Sequence, residues 1–578
     1  MRYPALHAAL TVAFFSGLLA GCSQPEVPTP QTTTTPVVTA PAPAAPPPYT
    51  FGPEISAEDF GHHVKTLASD EFEGRAPGSH GEQLTINYLK AQFERLGLKP
   101  GNGDSYFQTV PMVETTADPA TVAKIMVGGA ERTLAFGNDM VIGTRTGQAE
   151  VKVVASEMVF VGYGVNAPEA NWNDYAGLDV KGKTVVMLVN DPGFHAGDES
   201  LFGGKRMTYY GRWTYKNEEA ARQGAAAAII IHDTDGAGYG WDVVKNSWSG
   251  AQFDLPSSSD PEPRLPLQGW ITGETAQSLF DAAGLKLDEL RVAAGKPGFK
   301  AVPMQAKLSA DLKSTTSTKE SKNVLALLPG SAHPDEAVIY MAHWDHLGKK
   351  DGEGDQIYNG AIDNATGLAG ILEIAELFVT QPVAPTRSIL FVAVTLEESG
   401  LLGSKYYVAH PTIPLVKTVG VINLDAMGVV GKTRDIVVNG FGASELEDIL
   451  KPIAEKQGRV LHAESGVEKG YYYRSDHFNF AKAGVPALYA KSGADHVEKG
   501  EAFGAQISDD YTANRYHKPS DEYDPNWDLG GVMQDLHALY QVGRELGSNE
   551  AWPNWYAGSE FKTRRDTMMQ EKAGEPAQ

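Results

Sequence analysis

The chain has a single cysteine, Cys22, among 578 residues. No disulfide can close within one copy, and no structural zinc site can be built on thiolates. Basic residues are also short: 49 Lys and Arg stand against 72 Asp and Glu, a net charge of −23. That balance excludes a general nucleic-acid binder, which needs basic surface. The apolar run Ala8–Ala20 is too short to span a bilayer comfortably as a helix. What remains is an ordinary globular composition, 42% hydrophobic and 21% charged, on a chain too long for one hydrophobic core. Two or more domains are expected.

The run Ala8–Ala20 follows Arg2 and leads into Leu19-Ala20-Gly21-Cys22. It reads as a signal-peptide core. The four residues resemble the bacterial lipobox, which implies a leader over residues 1–22 and lipidation of Cys22. The expectation is a protein held to the membrane by an N-terminal lipid and facing the periplasm, with Ser23 favouring the outer membrane. Residues 23–49 are mostly Pro, Thr and Ala and read as an extended tether.

Folded sequence starts near Phe51. Ser56-x-x-Asp59 opens a helix to Leu67, and Gly81–Leu96 is a second, amphipathic one. Asp70–Arg75 between them reads as a polar loop. From Ser321 apolar strand-like runs alternate with helical patterns, which spells an α/β fold with a mostly parallel, helix-covered sheet. The stretch between has strand runs such as Thr184–Val189, then a helix, a Gly224 turn and the strand ending at Ile231. The expected organisation is a main domain over 50–136 and 304–550, an insert over 137–303, and a tail over 551–578 that frays from Lys562. An aromatic and basic run, Lys205–Tyr215, reads either as buried packing or as an overhang above a site.

Chemistry-bearing residues recur at or soon after the ends of the strands. His343 closes Ala337–Ala342, Glu397 and Glu398 follow Ser388–Thr395, and Asp425 ends Val419–Leu424. Carboxyl ends of parallel strands converge on one crevice. Asp363 sits at the entry to the helix Gly367–Val379, and His517 lies in a loop before the last helix. Two imidazoles and three carboxylates suit a pair of zinc ions, with Glu397 left over as a base. Asp345, two residues from His343, suits the other N–H of that ring. His346 is a competing ligand or a plain loop histidine. Asn364 and Thr366 taken alone read as helix caps.

In order, the motifs are His343-x-Asp345, Gly360-Ala-x-Asp363-Asn-Ala-Thr-Gly367, Glu397-Glu398, Asn423-Leu-Asp425 and Tyr516-His517-x-Pro-x-Asp521. They resemble family twenty-eight of the metallopeptidases, which holds bacterial dizinc aminopeptidases and glutamate carboxypeptidase. The resemblance implies one zinc on His343 and Asp425, another on Glu398 and His517, and Asp363 bridging them. It implies Glu397 as general base, Tyr516 as oxyanion donor, a cis peptide at Asp363–Asn364, and Arg474 beside the substrate. The insert resembles the β-rich protease-associated domain through Val161-Gly-Tyr-Gly-Val165, Asp174-Tyr175 and Val180-Lys-Gly-Lys183. The expected activity is an aminopeptidase on peptide substrates. A carboxypeptidase or dipeptidase on acidic peptides, and a non-catalytic surface binding protein, are the alternatives.

Overall fold

The computed structural model describes residues 49–574, so the leader, Cys22, nearly all of the tether and the last residues of the tail lie outside the described residues. Within residues 51–578 one sheet carries strands β1 (Phe107–Ala117), β2 (Val302–Leu328), β3 (His333–His343), β4 (Arg387–Val394), β5 (Thr418–Asn423), β6 (Asp435–Val438), β7 (Val460–Ala463) and β8 (Ala487–Ser492). Their spatial order is β1-β2-β4-β3-β5-β8-β6-β7. The centre, β4-β3-β5-β8, is parallel, and antiparallel neighbours flank it on both sides. Every residue of β4 and β5 is buried. Such continuous Val/Ile/Leu runs belong to strands covered on both faces. The helix Thr366–Thr380 supplies part of that cover, burying Leu368, Ile371, Leu372 and Ile374 completely.

Register places the site. His343 pairs with Val394, and Met341 with Asn423, so β3, β4 and β5 end level. The residues that follow them meet at one edge.

A second sheet runs Ala130–Ala135, Val122–Val127, the start of β2, Glu150–Phe160, Thr184–Leu188, Ala227–Ile231, Leu267–Ile271 and Met140–Gly143. It has its own apolar core. It begins at Val122, ahead of the boundary expected at 137, because β2 pairs with Val122–Val127 as well as with Glu150–Phe160. β2 is 27 residues long and enters both sheets: Val302–Lys313 pair in the second, Ser314–Leu328 in the first.

Two further expectations are corrected. The tail does not fray from Lys562; Lys562–Gly574 is a helix. Its Arg565 is fully buried and donates to the carbonyls of Thr418, Val419 and Pro553, so a polar stretch is held down by one buried guanidinium. Asp70–Arg75 is a pair of tight helical turns rather than a polar loop. The Lys205–Tyr215 run meets both of its readings: Tyr209 sits edge-on to Phe478, Arg206 donates to Phe441 O and Met207 N donates to Val467 O, while Arg212 and Trp213 line the cleft that holds Glu397 and His517.

Burial also isolates two titratable groups beneath the first helix, Ala57–Leu67. Glu373 accepts from Ser56 N at 2.8 Å and lies 3.9 Å from His63 Nε2. Burial lifts Glu373 to about 8 and drops His63 to about 3, so the contact is between neutral groups near pH 7. An acid raised from 4.5 to about 8 favours folding less as pH rises through that window. Glu373→Gln removes this loss. The expected result is a melting temperature equal to wild type near pH 4.5 and higher than wild type by pH 8.5, read by calorimetry across pH. A constant difference between the two proteins would overturn the assignment.

Candidate metal centre

Asp363 is the hub of the site. Its Oδ1 lies 3.2 Å from His343 Nε2, and its Oδ2 lies 3.2 Å from His517 Nε2. Asp425 Oδ1 joins the first imidazole at 3.5 Å, and Glu398 Oε2 joins the second at 3.2 Å. One carboxylate thus faces two donor sets, His343 with Asp425 and His517 with Glu398. All five residues singled out as ligands come together. Glu397 lies beside them in the cleft, and its carboxylate makes no ion pair among the described residues.

Local sequence explains how Asp363 is held. The Asp363–Asn364 peptide is cis, as the resemblance implies. The backbone N–H groups of Ile362 and Asp363 donate to the Asp521 carboxylate. Asn364 does more than cap the next helix. Its Oδ1 accepts from Gly367 N and from Ala426 N, and its amide donates to Leu424 O, which ties the Asp363 turn to the Asp425 turn.

Asp345 is used differently from expectation. His343 Nδ1 donates to the Asp345 backbone carbonyl at 3.1 Å, and the carboxylate is 3.9 Å away. That carboxylate accepts instead from Glu397 N and Glu398 N, at 3.1 and 3.3 Å. It fixes the Glu397-Glu398 pair by its backbone. Two residues apart on an extended chain gave the right side of the strand but not the partner.

His346 is no plain loop histidine. It is 2% exposed, and its Nδ1 is 2.6 Å from Glu398 Oε1. With Asp363 and Glu398 it forms a second possible metal-holding triad beside His343, Asp363 and Asp425. Sequence reading also missed Arg75. This guanidinium is completely buried and donates to the carbonyls of Leu67, Trp344, Asn359 and Gly360, clamping the loops that carry His346 and Asp363. Its signal was a lone Arg in Glu73-Gly74-Arg75, which nothing local marks as buried. Lys491 donates to the carbonyls of Asp425 and Ala426.

The electrostatics are those of a site that prefers positive charge. Burial alone would lower both imidazoles. Glu397, Asp363 and Asp425 nevertheless hold His343 well above its ordinary value, and Asp363 with Glu398 lifts His517 to about 10. Burial, joined by Glu398, Asp425 and Asp476, pushes Glu397 well above the carboxylate range against the pull of His343. Burial likewise raises Asp345 to about 7. Crowded oxygen and imidazole donors of this kind suit a divalent cation.

Tyr516 stacks on His517 with ring centroids 3.9 Å apart and is 45% exposed, at the mouth of the site. Arg474 also lines the cleft. The cleft encloses about 1040 Å³ and runs from Glu397, Glu398 and His517 to the face of the insert at Arg212, Trp213 and Asn217.

The class this geometry defines is an α/β protein with an acid-rich candidate metal centre at the carboxyl edge of its parallel strands. Residues 323–540, the segment that carries every one of those donors, match the model of Peptidase family M28. Leupeptin-inactivating enzyme 1 of Streptomyces exfoliatus is 27% identical over 213 residues, 35% of this chain and 45% of that protein. Aminopeptidase YwaD of Bacillus subtilis is 28% identical over 228 residues, 38% of this chain and 44% of that one. The chain therefore spans less than half the length of these curated relatives. Among solved structures, an aminopeptidase from Aneurinibacillus sp. strain AM-1 aligns with 86% of this chain and 96% of its own, at 21% identity and a TM-score of 0.47.

Proposed function

We propose that this chain is a dizinc metallopeptidase that removes N-terminal residues from peptides. The observation that carries the proposal is Asp363, whose two oxygens each approach a different imidazole at 3.2 Å. His343 and Asp425 would hold one ion, Glu398 and His517 the other, with Asp363 shared. Zinc, when bound, supplies Lewis acidity that activates water and polarises a carbonyl at neutral pH.

The chain's own groups supply the rest. Among the described residues Glu397 makes no ion pair in the cleft, and it is positioned through the Asp345 carboxylate on its backbone N–H. So placed, it would take a proton from water and return it to the leaving amine. Tyr516, fixed against His517, would donate to the oxygen that gains charge as the carbonyl is attacked. The surplus of carboxylates around the centre suits the positive α-amino group of a substrate.

A panel of amino-acid anilides beside N-blocked peptides, with and without chelator, tests this reading. Cleavage confined to free amino termini and lost on chelation is expected. Cleavage of blocked peptides from their carboxyl ends would instead favour a carboxypeptidase.

A further inference from the structure

Glu398 turns its two oxygens to two different imidazoles. Oε2 is 3.2 Å from His517 Nε2, and Oε1 is 2.6 Å from His346 Nδ1. A carboxylate oxygen only accepts, so the proton of the shorter contact sits on Nδ1. The other ring nitrogen of His346 is not spent on the fold: its buried Nε2 has no partner among the described residues. The ring is nevertheless tightly seated. A Cβ at Gly360 would come within 2.6 Å of His346 Cδ2, so glycine is what leaves the ring its slot. The ring of His517 stands edge-on to it, with centroids 5.6 Å apart. His346 N donates to Arg75 O, and the Arg75 guanidinium holds the carbonyls of Trp344 and Gly360.

The two donor sets are secured unequally. In the first, His343 Nδ1 donates to Asp345 O, and Tyr489 and Lys491 donate to the carbonyl of Asp425. In the second, His517 follows the helix Glu501–Asn514, where Gly504 alone is buried, and its side chain is 35% exposed. Asp345 fixes the backbone of Glu398 but does not stop its side chain from turning. Among the described residues, the Glu398 carboxylate accepts one hydrogen bond, and His346 donates it.

We infer that His346 is a positioning residue for the second donor set: its Nδ1–H holds Glu398 Oε1, so that Oε2 is the oxygen offered beside His517. The inference rests on the two-ion reading above and says why its second place fills at all. Groups that orient a metal ligand without touching the metal change its affinity by about 10–100-fold when they are lost. With Oε1 held, Glu398 offers one oxygen rather than two, as suits a catalytic zinc site that keeps a position open for water or substrate.

The test titrates zinc into the metal-free protein against a chromophoric chelator, which reads two dissociation constants. Wild type should take two zinc ions, and Glu398→Ala identifies the constant that belongs to the second set. His346→Gln and His346→Asn then separate the ring nitrogens. Glutamine places its amide nitrogen where the unpartnered Nε2 lies, and asparagine places its own where Nδ1 lies. In His346→Gln the second zinc should weaken by about 10–100-fold and the first should hold as in wild type. His346→Asn should recover most of that loss. The first zinc is a control within the same molecule, since general damage to the fold weakens both. Weakening shared by both sites, or two variants that behave alike, would overturn the positioning role and leave the two-ion reading standing. A wild type that takes fewer than two zinc ions would overturn both.

Discussion

Glu397→Gln should lower kcat by about 10²–10⁴-fold while metal content and fold stay as they are. The substitution keeps shape and removes only the capacity to take a proton. The backbone hydrogen bonds from Glu397 N and Glu398 N to Asp345 are untouched, so Glu398 keeps its place against His517. Glu397 makes none of the close approaches to His343 Nε2 or His517 Nε2 that Asp363, Asp425 and Glu398 make. Its loss therefore separates catalysis from metal holding. Steady-state rates on a leucine anilide, beside elemental analysis, give the two readouts. A metal-replete Glu397→Gln enzyme with wild-type kcat would show that the proton moves elsewhere.

Asp363→Ala should do the opposite and remove metal from both donor sets at once. Each imidazole loses the oxygen 3.2 Å away, and among the described residues no other carboxylate spans the pair. Activity should fall to background, and zinc per chain should drop from about two to well below one. Stability gives an independent readout. A ligand that binds only the folded state stabilises it by about 2.7 kcal/mol at a hundred times its dissociation constant. Wild type should therefore melt lower after chelation and recover when zinc is returned, whereas Asp363→Ala should respond to neither. A zinc-dependent rise in the melting temperature of Asp363→Ala as large as that of wild type would show that Asp363 is not the shared ligand.

The parts that were legible in sequence are those where periodicity and chemistry coincide. Apolar runs such as Ser388–Thr395 can only be strands buried on both faces, and the acid or imidazole that follows each one has to lie at the sheet edge. That is why the sequence alone places His343, Glu397, Glu398 and Asp425 at the sheet edge. Partners that come from distant sequence were not legible. Asp345 turned from its neighbour His343 to backbone fifty residues on, because parallel pairing brings the ends of β3 and β4 level. Arg75 and Asp521 grip the turn at Asp363 from opposite ends of the chain, and no spacing rule connects them. The tail from Lys562 looked too polar to dock. One arginine that meets three carbonyls outweighs that composition, since a charge-assisted hydrogen bond contributes more than a neutral one.

The strand β2 has a mechanical consequence. A domain inserted through two loose linkers could swing over the cleft like a lid on a hinge. Here one unbroken backbone of 27 residues is a rung of both sheets, and β1 is laced along the stretch where it crosses from one to the other. To swing, the insert would have to unzip that ladder. Any movement of the insert over the cleft is therefore tied to the twist of this single beam, which the two sheets share.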